Sequence, residues 1–99
     1  MEIIYKNRKI QKICTDWSLA SKTYGNEMAD KIHHRIYEIQ SAASVEMMVT
    51  SKIGRCHPLS QNRRGQYAVD LVCQYRLVFE VKEKRIQVAN ILEVVDYHG

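Results

Sequence analysis

Apolar residues in the first half of the chain recur at helical spacing. One stripe, with intervals of four, four and three residues, consists of Met28, Ile32, Ile36 and Ile39. Charged and polar residues lie between them, as on the solvent side of an amphipathic helix. A shorter stripe predicts an earlier helix and is formed by Ile10, Ile13, Cys14 and Trp17. Gly25 and Asn26 separate the two patterns.

The second half of the chain changes to the alternation that is typical of strands. Runs at residues 66–72, 75–81 and 85–95 are rich in Val, Ile and aromatic residues, and links of two or three residues join them. Such short links predict an antiparallel meander. Residues 3–5 predict a short first strand, and residues 41–51 a short third helix.

Together these elements predict a single α+β domain over residues 1–99. Its antiparallel sheet would combine the short N-terminal strand with the C-terminal three-stranded meander, and two or three helices would pack on one sheet face. A chain of 99 residues buries enough surface for one hydrophobic core and not for a second. The other sheet face is expected to be free for a ligand.

Charge and cysteine usage narrow the classes of function. Fifteen basic and 11 acidic residues give a formal net charge of +4, which favours a polyanionic partner, either nucleic acid or an acidic protein. Three cysteines without C-x-x-C spacing indicate neither a disulfide framework nor a zinc site. The sequence also contains no glycine-rich phosphate-binding loop, and no cofactor is expected. No apolar run has the length of a signal peptide or a membrane helix, which favours a cytoplasmic protein without a membrane partner.

A polar segment between the helical and the alternating half is rich in basic side chains. It carries Arg55, His57, Arg63 and Arg64. Guanidinium groups match phosphate oxygens in bidentate pairs, so the three arginines are candidates for phosphate contacts. A solvated turn without a ligand is the alternative interpretation.

Arg76 and a C-terminal group of three residues are the other polar candidates. Arg76 alternates with apolar residues inside the central predicted strand, where it belongs either to a basic surface or to ordinary solvent-exposed positions. Asp96, Tyr97 and His98 supply a proton acceptor, an aromatic ring and an imidazole base. For these three, a frayed chain end without a role is the alternative.

A ribonuclease that uses no metal needs only groups of these types. A base removes the proton of the ribose 2′-hydroxyl, an acid protonates the leaving 5′-oxygen, and cations stabilise the charged phosphorane. His57 and His98 are the candidates for base and acid, in an order that the sequence leaves open. His34 and Glu38 stand at i, i+4 in the second predicted helix and indicate a surface pair rather than a metal site, because no third ligand has suitable spacing.

Motifs in the second half of the chain resemble the HigB-type toxins of the RelE/ParE superfamily. A His-Pro-Leu turn at 57–59 leads into Asn-Arg-Arg-Gly at 62–65, a Tyr-Arg-Leu-Val-Phe strand follows at 75–79, and Asp-Tyr-His stands at 96–98. Each motif alone is unspecific, and it is their joint order and spacing that resemble the family. Asn62 replaces an Asp that is common in the family, and Cys56 replaces a larger aliphatic residue.

The resemblance implies a small curved sheet with helices on one side, and ribosome-dependent, metal-independent cleavage of mRNA that inhibits translation. His57 and His98 would share the acid–base work, Asp96 would orient or polarise a partner, and Tyr97 would hold the RNA. The basic positions of the family match Arg63 and Arg76.

The resemblance also implies partners. In a type II toxin–antitoxin system, a HigA-like helix-turn-helix antitoxin would neutralise the toxin, and operator DNA would be bound only through the antitoxin complex. The ribosome and mRNA would be the targets. One alternative is a ParE-like toxin that inhibits DNA gyrase without cutting RNA, which would need no histidine pair. Another is a degenerate toxin that only binds its antitoxin or an operator.

Overall fold

Four α-helices precede most of the sheet in the computed structural model, which describes residues 1–82 and 85–97. The helices are α1 (Arg8–Thr15), α2 (Trp17–Tyr24), α3 (Asn26–Ser41) and α4 (Val45–Thr50). The strands are β1 (Glu2–Tyr5), β2 (His57–Pro58), β3 (Gln66–Asp70), β4 (Tyr75–Lys82) and β5 (Val88–Asp96). Short 3₁₀ turns precede and follow β2, at Ile53–Arg55 and Gln61–Arg63. None of the helices in these described residues is long and apolar enough to cross a membrane.

The first predicted helix is divided into two at Asp16. The backbone N–H of Asp16 bonds to the carbonyl of Lys12 at the end of α1, while its carboxylate accepts a hydrogen bond from the Leu19 N–H and caps the start of α2. Asp16 therefore ends one helix through its backbone and begins the next through its side chain. Trp17 therefore does not continue the buried stripe; its side chain is 39% exposed and donates a hydrogen bond to Asp30.

The sheet has the strand order β1-β5-β4-β3-β2. The predicted antiparallel meander is confirmed, since β3 pairs with β4 and β4 with β5 in antiparallel register. β2 adds a short antiparallel edge beside β3, which the alternation pattern did not reveal because only two residues pair. The first strand differs from the prediction: β1 runs parallel to β5. A period of two assigns the faces of a strand but not its direction, which here depends on the long connection between the two strands.

A β-bulge interrupts the pairing of β4 with β5. Val78 pairs with Glu93 and Phe79 with Ile91, so Leu92 is an extra residue on β5. Such a residue bends the strand and shifts the alternation of every side chain that follows it. The bulge is one source of the curvature expected for this sheet.

The core lies between the helices and one face of the sheet. Its fully buried large side chains include Ile32 and Ile39 of α3, Met48 of α4, and Leu77 and Phe79 of β4. The stripe on α3 thus packs on the alternating apolar positions of the meander, as an amphipathic helix and a half-buried sheet require. The predicted α+β fold class is confirmed.

The second sheet face is partly covered by the chain itself. Ala68 and Val78 point away from the helices, yet neither is exposed to solvent. Arg63, in the turn after edge strand β2, hydrogen-bonds Glu93 on β5 and donates its Nε–H to Gln66 at 2.9 Å. Its side chain therefore crosses β3 and β4 on this face, which leaves less of the face free for a ligand than the sequence predicted.

The central position of α3 can be tested by truncating one buried side chain. Ile32→Ala should lower the free energy of unfolding by about 2–5 kcal/mol, because a fully buried aliphatic side chain leaves a cavity. Urea denaturation followed by circular dichroism measures this loss. Tyr37→Ala on the same helix is the matched control, and since Tyr37 is 66% exposed it should change stability by no more than about 0.5 kcal/mol. Equal losses in the two variants would contradict the packing described.

Candidate active site

A tight reversal between α4 and β2 presents His57. Lys52, Gly54 and Arg55 have φ angles of 56°, 59° and 53°, all in the left-handed region. Cys56, only 4% exposed, anchors the reversal in the core directly before His57. The Nδ1 atom of His57 lies 2.9 Å from the carbonyl oxygen of Arg55. A carbonyl oxygen only accepts, so Nδ1 carries the proton, and in the neutral imidazole Nε2 is the proton acceptor.

Arg35 of α3 fixes this reversal against the sheet. Its Nε–H donates to the backbone carbonyl of Asp70 at 2.6 Å, and its Nη1 donates to Glu38 at 2.7 Å. The same guanidinium packs on Gly54, where a Cβ atom would stand 2.9 Å from Arg35 Nε. Glycine at position 54 adopts the left-handed backbone at low cost and allows this close approach, whereas a larger residue would displace the Arg35 side chain.

Asp70, at the end of β3, contacts two arginines of the site. Its Oδ2 lies 3.3 Å from Arg55 Nε, and its Oδ1 lies 3.2 Å from Arg76 Nε. The Oδ1 atom is shielded from solvent and forms no well-aligned hydrogen bond, so its contact with Arg76 is an ion pair. Asp70 and Arg76 face each other across β3 and β4 in direct register. One carboxylate therefore joins the reversal before β2 to the central strand.

Tyr97 completes this group from the residue that follows β5. Its backbone N–H donates to the carbonyl of Gln74 at 3.0 Å, which holds it beside the start of β4. The guanidinium carbon of Arg76 lies 4.9 Å from the centre of the Tyr97 ring, a cation–π distance. One face of the ring thus contacts Arg76.

The cationic side chains line a surface cavity of about 400 Å³. Its lining combines positive charge with apolar walls and consists of Val49, Lys52, Arg55, Cys56, His57 and Arg76. Lys52 belongs to none of the sequence motifs and is not among the predicted site residues. The only sequence signal for Lys52 is its position two residues before Gly54 and three before Arg55, in the basic segment that leads to His57. A cavity with three permanent cations and an imidazole is suited to an anionic ligand.

Cys56 lines the same cavity but does not add a nucleophile to it. Burial raises the pKa of the Cys56 thiol to about 11, because the charged thiolate is poorly solvated there. The thiol is therefore protonated at neutral pH, and the thiolate is the reactive form of cysteine. At neutral pH the cavity therefore offers an imidazole and three cations, while Cys56 contributes no thiolate.

The structure leaves part of the predicted set outside this cavity. Arg63 is held by Glu93 and Gln66 further along the sheet, and Arg64 is exposed in the turn before β3. Asp96 pairs with Tyr75, and the ring of Tyr75 packs against Tyr24 on the helix side of the sheet. Because side chains alternate along a strand, Asp96, which is exposed, and Tyr97, which is half-buried, point to opposite faces. The predicted role of His98 lies outside the described residues.

The remaining candidates form no second site. His34 lies 3.3 Å from Glu38 and is mostly exposed, as expected for a surface helix pair. Across residues 1–82 and 85–97, no group of three or more His, Cys, Asp or Glu side chains could hold a metal ion.

Solved structures share this fold. The chain superposes on a YoeB/ParE toxin from Agrobacterium tumefaciens with a TM-score of 0.66 and 14% identity, over 99% of this chain and 100% of the other. It superposes on the YoeB dimer from Staphylococcus aureus with a TM-score of 0.63 and 20% identity, over 100% of this chain and 98% of the other. No protein-family model matches the chain, and no curated protein matches it by sequence.

These likenesses establish the fold of the YoeB/ParE toxins for this protein. At 14% and 20% identity they carry no residue roles and no activity from one protein to another. The narrower resemblance to HigB-type toxins remains a prediction from the motifs.

The burial of two of the three cysteines gives a test of the local structure. At pH 8, iodoacetamide should modify exposed Cys73 of the native protein, and leave Cys14 and Cys56 unmodified. Burial raises the pKa of Cys14 to about 12 and that of Cys56 to about 11, so both thiolates are scarce as well as inaccessible. Mass spectrometry should show one label on the native protein and three after denaturation. Rapid labelling of Cys56 without denaturation would contradict its burial in the cavity wall.

Proposed function

We propose that this protein is the toxin of a type II toxin–antitoxin system and a ribosome-dependent mRNA endoribonuclease. The supporting observation is the cavity in which His57 meets Arg55 and Arg76, on a fold shared with YoeB/ParE toxins. The reaction is an attack of the ribose 2′-oxygen on the adjacent phosphorus. The bond to the 5′-oxygen breaks, leaving a 2′,3′-cyclic phosphate and a free 5′-hydroxyl.

His57 is proposed as the general base. The contact between Nδ1 and the Arg55 carbonyl, at 2.9 Å, selects the tautomer with its lone pair on Nε2. This atom would accept the 2′-hydroxyl proton. The backbone carbonyl that selects the tautomer also orients the ring, which is the role a buried carboxylate often has in other acid–base sites.

The cations are proposed to bind the reacting phosphate. Arg55, Arg76 and Lys52 line the cavity beside His57, and a phosphorane gains negative charge as it forms. Arg55 and Arg76 contact Asp70 through Nε, so their terminal nitrogens remain for phosphate oxygens. Tyr97 is proposed to stack on a base with the ring face that Arg76 does not occupy.

The assignment of the general acid and of the partners is based on the resemblance to HigB-type toxins. His98 is proposed as the acid that protonates the 5′-oxygen. The ribosome requirement, mRNA as the substrate and a HigA-like antitoxin come from the same motifs. The net charge of +4 is consistent with both an RNA target and an acidic segment of an antitoxin.

The proposal can be tested on an mRNA undergoing translation in a purified system. Primer extension should show discrete new 5′ ends that require both this protein and ribosomes. His57→Ala should slow the appearance of these ends by about 100-fold or more, because general base catalysis is lost. The double variant His57→Ala, His98→Ala should produce none.

His34→Ala is the matched control, since it removes an exposed imidazole on α3 that pairs only with Glu38. It should cut at the wild-type rate. Full activity of the double histidine variant would contradict the proposed chemistry. Intact mRNA with folded wild-type protein would contradict the nuclease itself, and inhibition of DNA supercoiling by purified gyrase would then identify the ParE-like alternative.

A further inference from the structure

We infer that Asp70 is a positioning residue that aims the guanidinium groups of Arg55 and Arg76 at one phosphate. The inference rests on the proposed function for the identity of that phosphate, the scissile one in RNA. It does not follow from the motifs, because Asp70 lies outside each of them. It rests on two ion pairs that a single carboxylate makes to arginines from different elements.

Each ion pair is made by the Nε atom of the arginine and not by its two terminal nitrogens. Both contacts are to Nε, at 3.3 Å for Arg55 and 3.2 Å for Arg76. An ion pair at Nε leaves the two terminal nitrogens of the guanidinium, with their N–H donors, for another anion. Since both arginines line the cavity beside His57, the carboxylate between them directs both forks into the same space.

Arg55 depends on this contact most. Its side chain is 78% exposed, and a long exposed side chain samples many rotamers unless a partner holds it. Arg76 is held in addition by the ring of Tyr97, at 4.9 Å. Ordering these groups before RNA binds lowers the entropic cost of reaching the transition state.

Asp70 is itself held firmly enough for this role. Its side chain is 21% exposed, and Arg35 bonds its backbone carbonyl at 2.6 Å. Asp70 lies directly opposite Arg76 in the register of β3 and β4, which places its carboxylate beside the Arg76 side chain. A carboxylate beside a polyanion nevertheless weakens RNA binding, so its presence is explained better by positioning than by affinity.

Because Asp70 orders the arginines but repels RNA, its removal should lower the cleavage rate without weakening RNA binding. In single-turnover cleavage of mRNA on programmed ribosomes, Asp70→Asn should lower the maximal cleavage rate by about tenfold or more, since misaligned cations no longer meet the phosphorane. The protein concentration that gives half the maximal rate should not rise, because one negative charge has been removed. Asp70→Glu, which keeps the charge, should recover part of the rate.

Glu80→Gln is the matched control. Glu80 lies on the same sheet face and carries the same charge, but its contacts are with Asn90 and Lys82 rather than with the cavity. This variant should keep the wild-type maximal rate. An equal loss of rate in Glu80→Gln, or no loss in Asp70→Asn, would overturn the inference. So would a loss in Asp70→Asn that arises only from a raised half-maximal concentration.

A second measurement separates this inference from the proposed function. In ¹⁵N-arginine-labelled protein, ¹⁵N relaxation should show the guanidinium groups of Arg55 and Arg76 to be more rigid in the wild type than in Asp70→Asn, because the two ion pairs restrict them. Wild-type protein that cuts no mRNA would refute the nuclease, while this difference in mobility would still support positioning by Asp70. Identical mobility in the two folded proteins would overturn the positioning role whatever the activity.

Discussion

Burial of one face of the β3–β5 meander beneath α3 and α4 is the constraint on which the rest of the structure depends. Phe79, Leu77 and Ile91 are fully buried on that face, and Ile32 and Ile39 of α3 are equally inaccessible. Removing this apolar surface from water is the dominant favourable term in folding a domain of this size. It also assigns every other strand position to the opposite face, where polar side chains are tolerated.

The candidate active site is a consequence of that assignment. Asp70 and Arg76 occupy strand positions that alternate with buried ones, so they face away from the helices. His57 reaches the same region from the edge strand, through a reversal in which Gly54 packs against Arg35. The hydrophobic core therefore positions the charged groups, and two residues at its edge, Val49 and Cys56, line the cavity beside them.

Charge pairing divides the basic residues into two groups by their surroundings. Arg63 is bonded to Glu93 and Gln66 across the sheet, whereas Arg55 and Arg76 share the carboxylate of Asp70 and line the cavity. A count of arginines predicts an attractive surface for polyanions but does not distinguish these roles. The two groups differ in their acidic partner, which is Glu93 for Arg63 and Asp70 for Arg55 and Arg76.

The sequence by itself determined the fold class, the stripe on α3, the meander and the concentration of candidate chemistry in the second half of the chain, because periodicity and short links are local properties. Tertiary structure alone decided the rest. The parallel direction of β1, the junction at Asp16 and the pairing of Arg63 with Glu93 depend on contacts between distant or competing groups. The extra residue Leu92 shifts the alternation of β5, so that Tyr97 faces Arg76 and not the helices. A pattern of period two cannot foresee such a shift, since a bulge is favoured by the pairing of two whole strands and not by any one residue.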